Sequence, residues 1–344
     1  MKTISWNCRG LGSPRAVRSL ARLLKVENPH LVFLMETRLK KEEMLKLKRK
    51  FKFNSDVSVD CSGAGRDRAG GLCLWWNDDL DINITSYSQN HIAGKCLNED
   101  EDDAWFFAGI YGYPDEARKM ETWNLIHALK EEGGSKTIFF GDLNDTISEA
   151  DKVGGINRTV SQLQRGRNTM ATCGLQEVSF EGYPFTWTNG RVGSENIQCR
   201  LDKSLTSFEF MQSFPLTRVF HLERYGSDHA ALRIVIQREE ETGKQRHLFR
   251  FEEAWTKEGR CGDLIKLLCR RNSGPLPKRL RSMQELNYEF KDLRTNNIRK
   301  EILRLEELIK ADKRWSGDPV EIQEYKAIEI QRDRLLKVEE TLWR

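Results

Sequence analysis

A chain of 344 residues, 38% hydrophobic and 31% charged, has room for about two domains and enough apolar surface for a core, which excludes a wholly disordered protein. No apolar run approaches the roughly 20 residues of a membrane span, and Met1–Gly10 lacks the pattern of a secretory signal, so an intracellular protein, nuclear or cytoplasmic, is expected. Residues 1–236 carry equal numbers of acids and bases, so the net charge of +4 lies in 237–344 and no overall field recruits a polyanion to the first part.

In chain order, Val17, Leu20, Leu23 and Leu24 recur at helical spacing and predict a helix over Ala16–Val26. Apolar runs predict strands at Leu31–Met35, Gly71–Trp75, Ile82–Ser86 and Trp105–Tyr111, then a helix over Met120–Leu129 and a strand at Thr137–Phe140. Thr188-Asn189-Gly190 predicts a hairpin turn, because Asn-Gly tolerates positive φ at both central positions. A last strand is expected at His229–Ile236, which makes residues 1–236 one α/β or α+β domain. From Arg238-Glu239-Glu240-Glu241 the density of charge rises. Leu286, Phe290, Leu293, Ile298, Ile302, Leu305 and Ile309 form one apolar stripe, Ser316-Gly317-Asp318-Pro319 breaks it, and Ile322, Tyr325, Leu335, Val338 and Leu342 resume it. Residues 237–344 therefore read as a charged helical tail with a hairpin over about 283–314 and 319–343. A hairpin alone buries little, so this one is expected to dock on its own chain or to self-associate.

Eight cysteines are scattered with no Cys-x-x-Cys pair, which fits reduced thiols and neither a disulfide scaffold nor structural zinc. The chain has no P-loop, no dinucleotide-binding glycine motif, no His-Glu-x-x-His and no Gly-x-Ser-x-Gly. What it has is polar groups at strand ends, where loops gather them into sites. Asn7 follows Ile4-Ser5-Trp6, Glu36 ends Leu31–Met35, and Asp142 and Asn144 follow Thr137–Phe140. Arg200-Leu201-Asp202 follows the Asn-Gly turn, and Ser227-Asp228-His229 precedes the last strand. Each alone has an ordinary structural use as a cap, turn former or surface ion pair. Together they match the needs of metal-assisted phosphodiester hydrolysis. Glu36, Asp228 and the carbonyl of Asn7 are hard oxygen ligands suited to Mg²⁺, with Mn²⁺ as a substitute. Asp142 can deprotonate a water that Asn144 orients, and His229, its tautomer fixed by Asp202, can steady the developing charge.

The ordered set Trp6-Asn7, Glu36-Thr37, Tyr111-Gly112, Gly141-Asp142-Leu143-Asn144, Arg200-Leu201-Asp202 and Ser227-Asp228-His229 resembles the endonuclease/exonuclease/phosphatase superfamily of DNase I-like and apurinic endonucleases. Within it the chain is most similar to plant LINE-type retrotransposon endonucleases, through Ser5-Trp6-Asn7-Cys8-Arg9-Gly10-Leu11-Gly12, Leu31-Val32-Phe33-Leu34-Met35-Glu36-Thr37 and Phe185-Thr186-Trp187-Thr188-Asn189-Gly190. The resemblance spans residues 1–236 and implies a four-layered α/β/β/α sandwich of two mixed sheets with the site at one edge. It implies metal-proximal Asn7, Glu36 and Asp228, a water-activating Asp142 with Asn144, a phosphate contact at Tyr111, and a charge-stabilising Asp202–His229 couple. The expected activity is Mg²⁺-dependent nicking of DNA that leaves a 3′-hydroxyl; RNA, a small phosphoester, or a non-catalytic binding module are the alternatives. Arg9 stands where apurinic endonucleases place an acid, which puts a second metal contact and abasic-site specificity in doubt. Phe249-Arg250-Phe251-Glu252-Glu253-Ala254-Trp255 resembles the connector before a retroelement polymerase, and the chain stops at Arg344, so an element lacking its reverse transcriptase is expected. Arg9, Trp187 and Arg200 are candidate nucleic-acid contacts, and Lys278-Arg279-Leu280-Arg281 is a basic cluster with the same potential.

Overall fold

A computed structural model describes residues 1–97, 104–238, 301–302, 304–305, 307–308 and 319–342. The chain divides into two compact units, Met1–Glu241 and Thr242–Arg344. The first unit begins β1 (Lys2–Asn7), α1 (Pro14–Glu27), β2 (Leu31–Met35), α2 (Lys41–Phe51), β3 (Ser55–Val59), β4 (Leu72–Trp76), β5 (Asp81–Tyr87), β6 (His91–Leu97), β7 (Trp105–Tyr111), α3 (Lys119–Gly133) and β8 (Thr137–Asp142). It continues with β9 (Lys152–Val153), α4 (Val160–Thr172), β10 (Leu175–Glu177), β11 (Phe180–Gly182), β12 (Trp187–Thr188) and β13 (Gln198–Cys199). It ends with β14 (Asp202–Ser207), α5 (Phe208–Ser213), β15 (Arg218–His221) and β16 (Leu232–Val235).

Local chemistry sets the helix ends. In α1 the Ser13 hydroxyl accepts the Ala16 N–H, Pro14 opens the first turn, and Asn28 closes the helix in a left-handed conformation. The helix therefore runs past both ends of the stripe that predicted it.

A seven-stranded sheet has the order β11-β15-β16-β1-β2-β4-β3, and a six-stranded sheet the order β10-β14-β8-β7-β6-β5. Both are mixed: β1 runs parallel to β2 and antiparallel to β16, and β8 parallel to β7 and antiparallel to β14. Alternate strand residues pack in opposite directions. Phe33, Met35 and Leu74 meet Phe107, Ile138 and Phe140 between the sheets. Leu20, Leu23 and Met44 cover Trp6 and Trp75 on one outer face, while Trp123, Ile126 and Leu129 cover Phe106 and Phe139 on the other. Both sheets are buried on two faces, which is why their central strands read as continuous apolar runs. The result is the four-layered α/β sandwich of two mixed sheets that the sequence implied.

Two expectations need correction. Asn189-Gly190 is not a two-residue hairpin turn: Thr188 pairs with Gln198, and the Asn189 side chain spans the intervening loop by accepting the Arg191 and Ile197 N–H groups. Of Asn189 and Gly190 only the glycine has positive φ, so the tight-turn geometry is not met. The last strand starts at Leu232 rather than at His229, because His229 is drawn into a bridge with Trp187 and a bond to Asp202.

Two glycines let the strands beside the site approach closely. At Gly141, φ is +141° and a Cβ would stand 2.0 Å from the Ile110 carbonyl oxygen; at Gly112 a Cβ would stand 2.1 Å from that of Leu143. Gly141→Ala is therefore expected to destabilise the first unit by about 4 kcal/mol or more. A urea melt checks this, and an unchanged midpoint would count against it.

In the second unit the structure describes a helix, α6 (Pro319–Leu342), and the buried Ile302 and Leu305. Most of the expected helix over 283–314, the 249–255 stretch and the 278–281 cluster lie outside the described residues. No helix among the described residues is long and apolar enough to cross a membrane.

Candidate active site

Strand register assembles the site. Parallel pairing sets Asn7 of β1 opposite Met35 of β2, so Glu36 emerges beside Asn7. On the facing sheet Tyr111 lies opposite Asp142, and Asp202 pairs with Asp142 from the other side. Side chains then join the two sheets. Asn7 Nδ2 donates to Glu36 Oε1 and to Asp142 Oδ2, both at 2.9 Å, and the Tyr111 hydroxyl donates to Glu36 Oε1 at 3.0 Å. His229 Nδ1 meets Asp202 Oδ2 at 2.9 Å, while its Nε2 lies 3.6 Å from Asp142 Oδ2. The Asn144 backbone N–H donates to Asp142 Oδ1 at 2.9 Å. Ser227 ties the last loop in, its hydroxyl donating to the Asn7 carbonyl and accepting the His229 N–H. Asp228 accepts from Trp187 Nε1 and from the Arg9 guanidinium, and the Arg9 N–H donates to Asn7 Oδ1.

All eight residues expected to carry chemistry thus belong to one network with two levels. Asn7, Asp142, Asp202 and His229 are buried, whereas the Glu36 and Asp228 side chains are 20% and 17% exposed at the mouth. Backbone conformation marks the same place. Among the described residues six non-glycines have positive φ; Asn28 and Lys52 end helices, and the other four are Arg9, Glu36, Arg38 and Asn144 at the site. Such backbone persists only where surrounding contacts enforce it, and it gathers at functional sites.

Burial raises the Asp142 carboxyl to about 6; the His229 imidazole opposes that rise and Asp202 adds to it. Burial would lower the His229 pKa, but the Asp202 and Asp142 carboxylates outweigh it and raise it to about 9. Burial, followed by the negative Glu36 and Asp142, raises the Tyr111 phenol, so it stays a donor.

Asp142, Asp202 and His229 offer metal-ligand atoms all within 4.8 Å of one another. Two of those atoms already bond to each other, so the trio is better described as a carboxylate–imidazole relay. The partly exposed hard oxygens at the mouth are those of Glu36 and Asp228, a donor set that suits Mg²⁺ or Mn²⁺. Asn7 Nδ2 bridges the Glu36 and Asp142 carboxylates, and its Oδ1 accepts the Arg9 N–H with one lone pair to spare beside the mouth.

One candidate nucleic-acid contact is corrected. The Arg200 guanidinium is enclosed by Asp151 and Glu177 with its side chain 12% exposed, so it anchors the sandwich and has no free edge for phosphate. Trp187 donates its indole N–H to Asp228, a bond that uses the ring edge and leaves base stacking on its face an open expectation. Arg9 does lie at the mouth, with its side chain 56% exposed.

Sequence reasoning missed three supports. Met35 Sδ accepts the Asp142 N–H at 3.3 Å across the sandwich, yet in the sequence it is only one apolar residue in a strand. Thr186 Oγ1 accepts the Leu201 and Asp202 N–H groups at 3.0 Å. Arg38 Nη2 lies 3.5 Å from Glu36 Oε2, and its place two residues after the acid was the one available signal.

Several solved structures share this fold. The endonuclease domain of TRAS1, a telomere-specific non-LTR retrotransposon, is 16% identical, with 68% of this chain and 97% of that chain covered and a TM-score of 0.50. The 3′–5′ exonuclease NExo of Neisseria meningitidis is 18% identical over 69% and 100%, with a TM-score of 0.50. The AP endonuclease LMAP of Leishmania major is 16% identical over 69% and 87%, with a TM-score of 0.53. No curated protein matches the chain by sequence. Residues 4–229 match the profile of the Endonuclease/Exonuclease/phosphatase family, and the chain accordingly belongs to that family and is a hydrolase acting on phosphodiester bonds.

Proposed function

We propose that the chain is a divalent-cation-dependent endonuclease that nicks DNA and leaves a 3′-hydroxyl, of retroelement lineage close to plant LINE-type enzymes. Residues 1–236 form its catalytic domain and 237–344 a linker or tail that docks or self-associates. The observation that carries the reading is the buried Asp142–His229–Asp202 relay lying beneath two partly exposed acids, Glu36 and Asp228. DNA as substrate draws support from the solved relatives of the same fold, which include a retrotransposon endonuclease and an AP endonuclease.

Glu36 and Asp228 would hold Mg²⁺ or Mn²⁺, which supplies charge neutralisation at the phosphate oxygens and the leaving alkoxide. Asp142 takes the proton of the attacking water, its carboxylate held by the Asn7 amide and the Asn144 N–H. His229, charged and steadied by Asp202, donates to the phosphate as negative charge builds. Tyr111 gives its one hydroxyl proton to Glu36 and so holds that acid in place at the mouth.

Purified protein is expected to convert supercoiled plasmid to open circle with Mg²⁺ and to be silent in EDTA. Folded protein that leaves plasmid intact with either cation would overturn the DNA reading, and single-stranded RNA and small phosphodiesters tested in parallel would identify another substrate.

A further inference from the structure

Each acid at the mouth faces a guanidinium that the proposed chemistry does not use. Arg9 pairs with Asp228, and Arg38 Nη2 sits 3.5 Å from Glu36 Oε2. The two arginines lie on adjoining segments. Leu11 donates its N–H to the Thr37 carbonyl, and the Arg38 stem passes over Gly10, where a Cβ would stand 3.4 Å from Cδ. Both have left-handed backbone, with φ of 49° and 54°. The Arg9 N–H is fixed on Asn7, and the Arg38 carbonyl accepts from Arg68. Among the described residues the buried Arg38 Nε meets no hydrogen-bond acceptor. These backbones are pinned while the side chains stay 56% and 41% exposed.

Exposed pairs of this kind contribute only about 0–1 kcal/mol, so they exchange readily. A hard divalent cation prefers the same carboxylate oxygens. A guanidinium fork, in turn, matches two phosphate oxygens as well as it matches a carboxylate. We infer that Arg9 and Arg38 are exchangeable counter-ions. They pair with Asp228 and Glu36, yield those acids to the cation, and then grip substrate phosphates flanking the scissile bond. The inference rests on the proposed cation-dependent nuclease. It makes cation and nucleic acid cooperative ligands, since each relieves the cost of binding the other.

The test uses the full chain as wild type, Arg9→Gln, Arg38→Gln and the double variant, each checked for folding by circular dichroism. Mn²⁺ binding is measured by calorimetry without DNA, and kcat and KM on a short duplex with Mg²⁺. Each single variant is expected to bind Mn²⁺ up to about fivefold more tightly, because a competing cation is gone. Each is also expected to raise KM for DNA about tenfold, with kcat changed less than KM, and to flatten the salt dependence of binding by about one charge. Arg9→Lys, which keeps the charge and loses the fork, separates the two effects: Mn²⁺ affinity stays near wild type while KM rises. Mn²⁺ affinity unchanged or weakened in folded glutamine variants would overturn the exchange, as would an unchanged KM. Wild type that binds Mn²⁺ but does not nick would overturn the nuclease reading alone, and the exchange would still be judged by the Mn²⁺ affinities.

Discussion

Asp142→Asn is expected to lower Mg²⁺-dependent nicking by about a thousandfold, the middle of the range for losing a general base. Asp142 is fully buried, and three groups converge on it: the Asn7 amide, the Asn144 N–H and His229 Nε2. All three favour an anionic oxygen. An asparagine keeps the size but cannot take a proton from water, and its NH₂ group would face a donor whichever way it turned. The substitution therefore removes the base and also strains the bridge through which Asn7 links the two sheets. Single-turnover cleavage of a labelled duplex gives the rate, and a thermal melt shows whether the fold is retained. A folded variant within tenfold of wild type would remove Asp142 from the chemistry and leave it a structural role. Glu36 would not reproduce the result, because its partners Tyr111 and Arg38 lie at the mouth and a weakened cation site can be rescued by more cation. Titration with Mn²⁺ separates the two cases, since added cation restores a Glu36→Gln variant and leaves Asp142→Asn dead.

The residues that could be found in the sequence are those whose chemistry is carried by type and by place at a strand end. Glu36, Asp142 and His229 each follow or precede an apolar run, where a carboxylate or imidazole is conspicuous, while Asp202 was marked by its place after the Asn-Gly segment. Parallel pairing of β1 with β2 and of β7 with β8 then puts the strand ends on one edge. The supports were hidden because their role depends on distance across the sandwich. Met35 is chosen by its position opposite Asn7 and by the sulfur that reaches Asp142, neither of which leaves a mark in one dimension. Arg200 shows the opposite error. It resembled a loop cation, but Asp151 lies 49 positions away in the chain and meets it in space. The short strands β9 to β13 were missed for a related reason: with two or three residues each, they show no alternation, and tertiary contacts alone hold them extended. Asn189-Gly190 failed as a turn signal because the Asn189 side chain is used to brace a longer loop.

His229→Ala is expected to cost about 10²- to 10³-fold in nicking rate, the usual loss when a charge-stabilising donor is removed. Among the described residues its imidazole is the one hydrogen-bond partner of the Asp202 carboxylate, whose other oxygen, Oδ1, is buried without one. Removing the ring also leaves that acid unpaired in the core, which commonly costs about 3–5 kcal/mol. His229→Gln, which can still donate to Asp202, guards against mistaking unfolding for lost catalysis: it is expected to restore stability but little activity. The couple has a signature independent of turnover. In EDTA, His229 followed by NMR is expected to titrate near 9, because Asp202 and Asp142 outweigh its burial. In Asp202→Asn it should fall, since the larger of the two carboxylate effects is gone. The sign of the linked stability follows. A histidine whose folded pKa lies above its unfolded value of about 6.5 stabilises the fold fully below that pH and loses the contribution as pH rises through about 9. Wild type in EDTA should therefore become easier to unfold by urea between pH 7 and 9, and Asp202→Asn should lose most of that slope. A wild-type His229 that titrates at or below 6.5 would show a neutral ring at working pH. Its part in the reaction would then be that of a neutral donor, and the rate lost in His229→Ala would have to come from geometry rather than from charge.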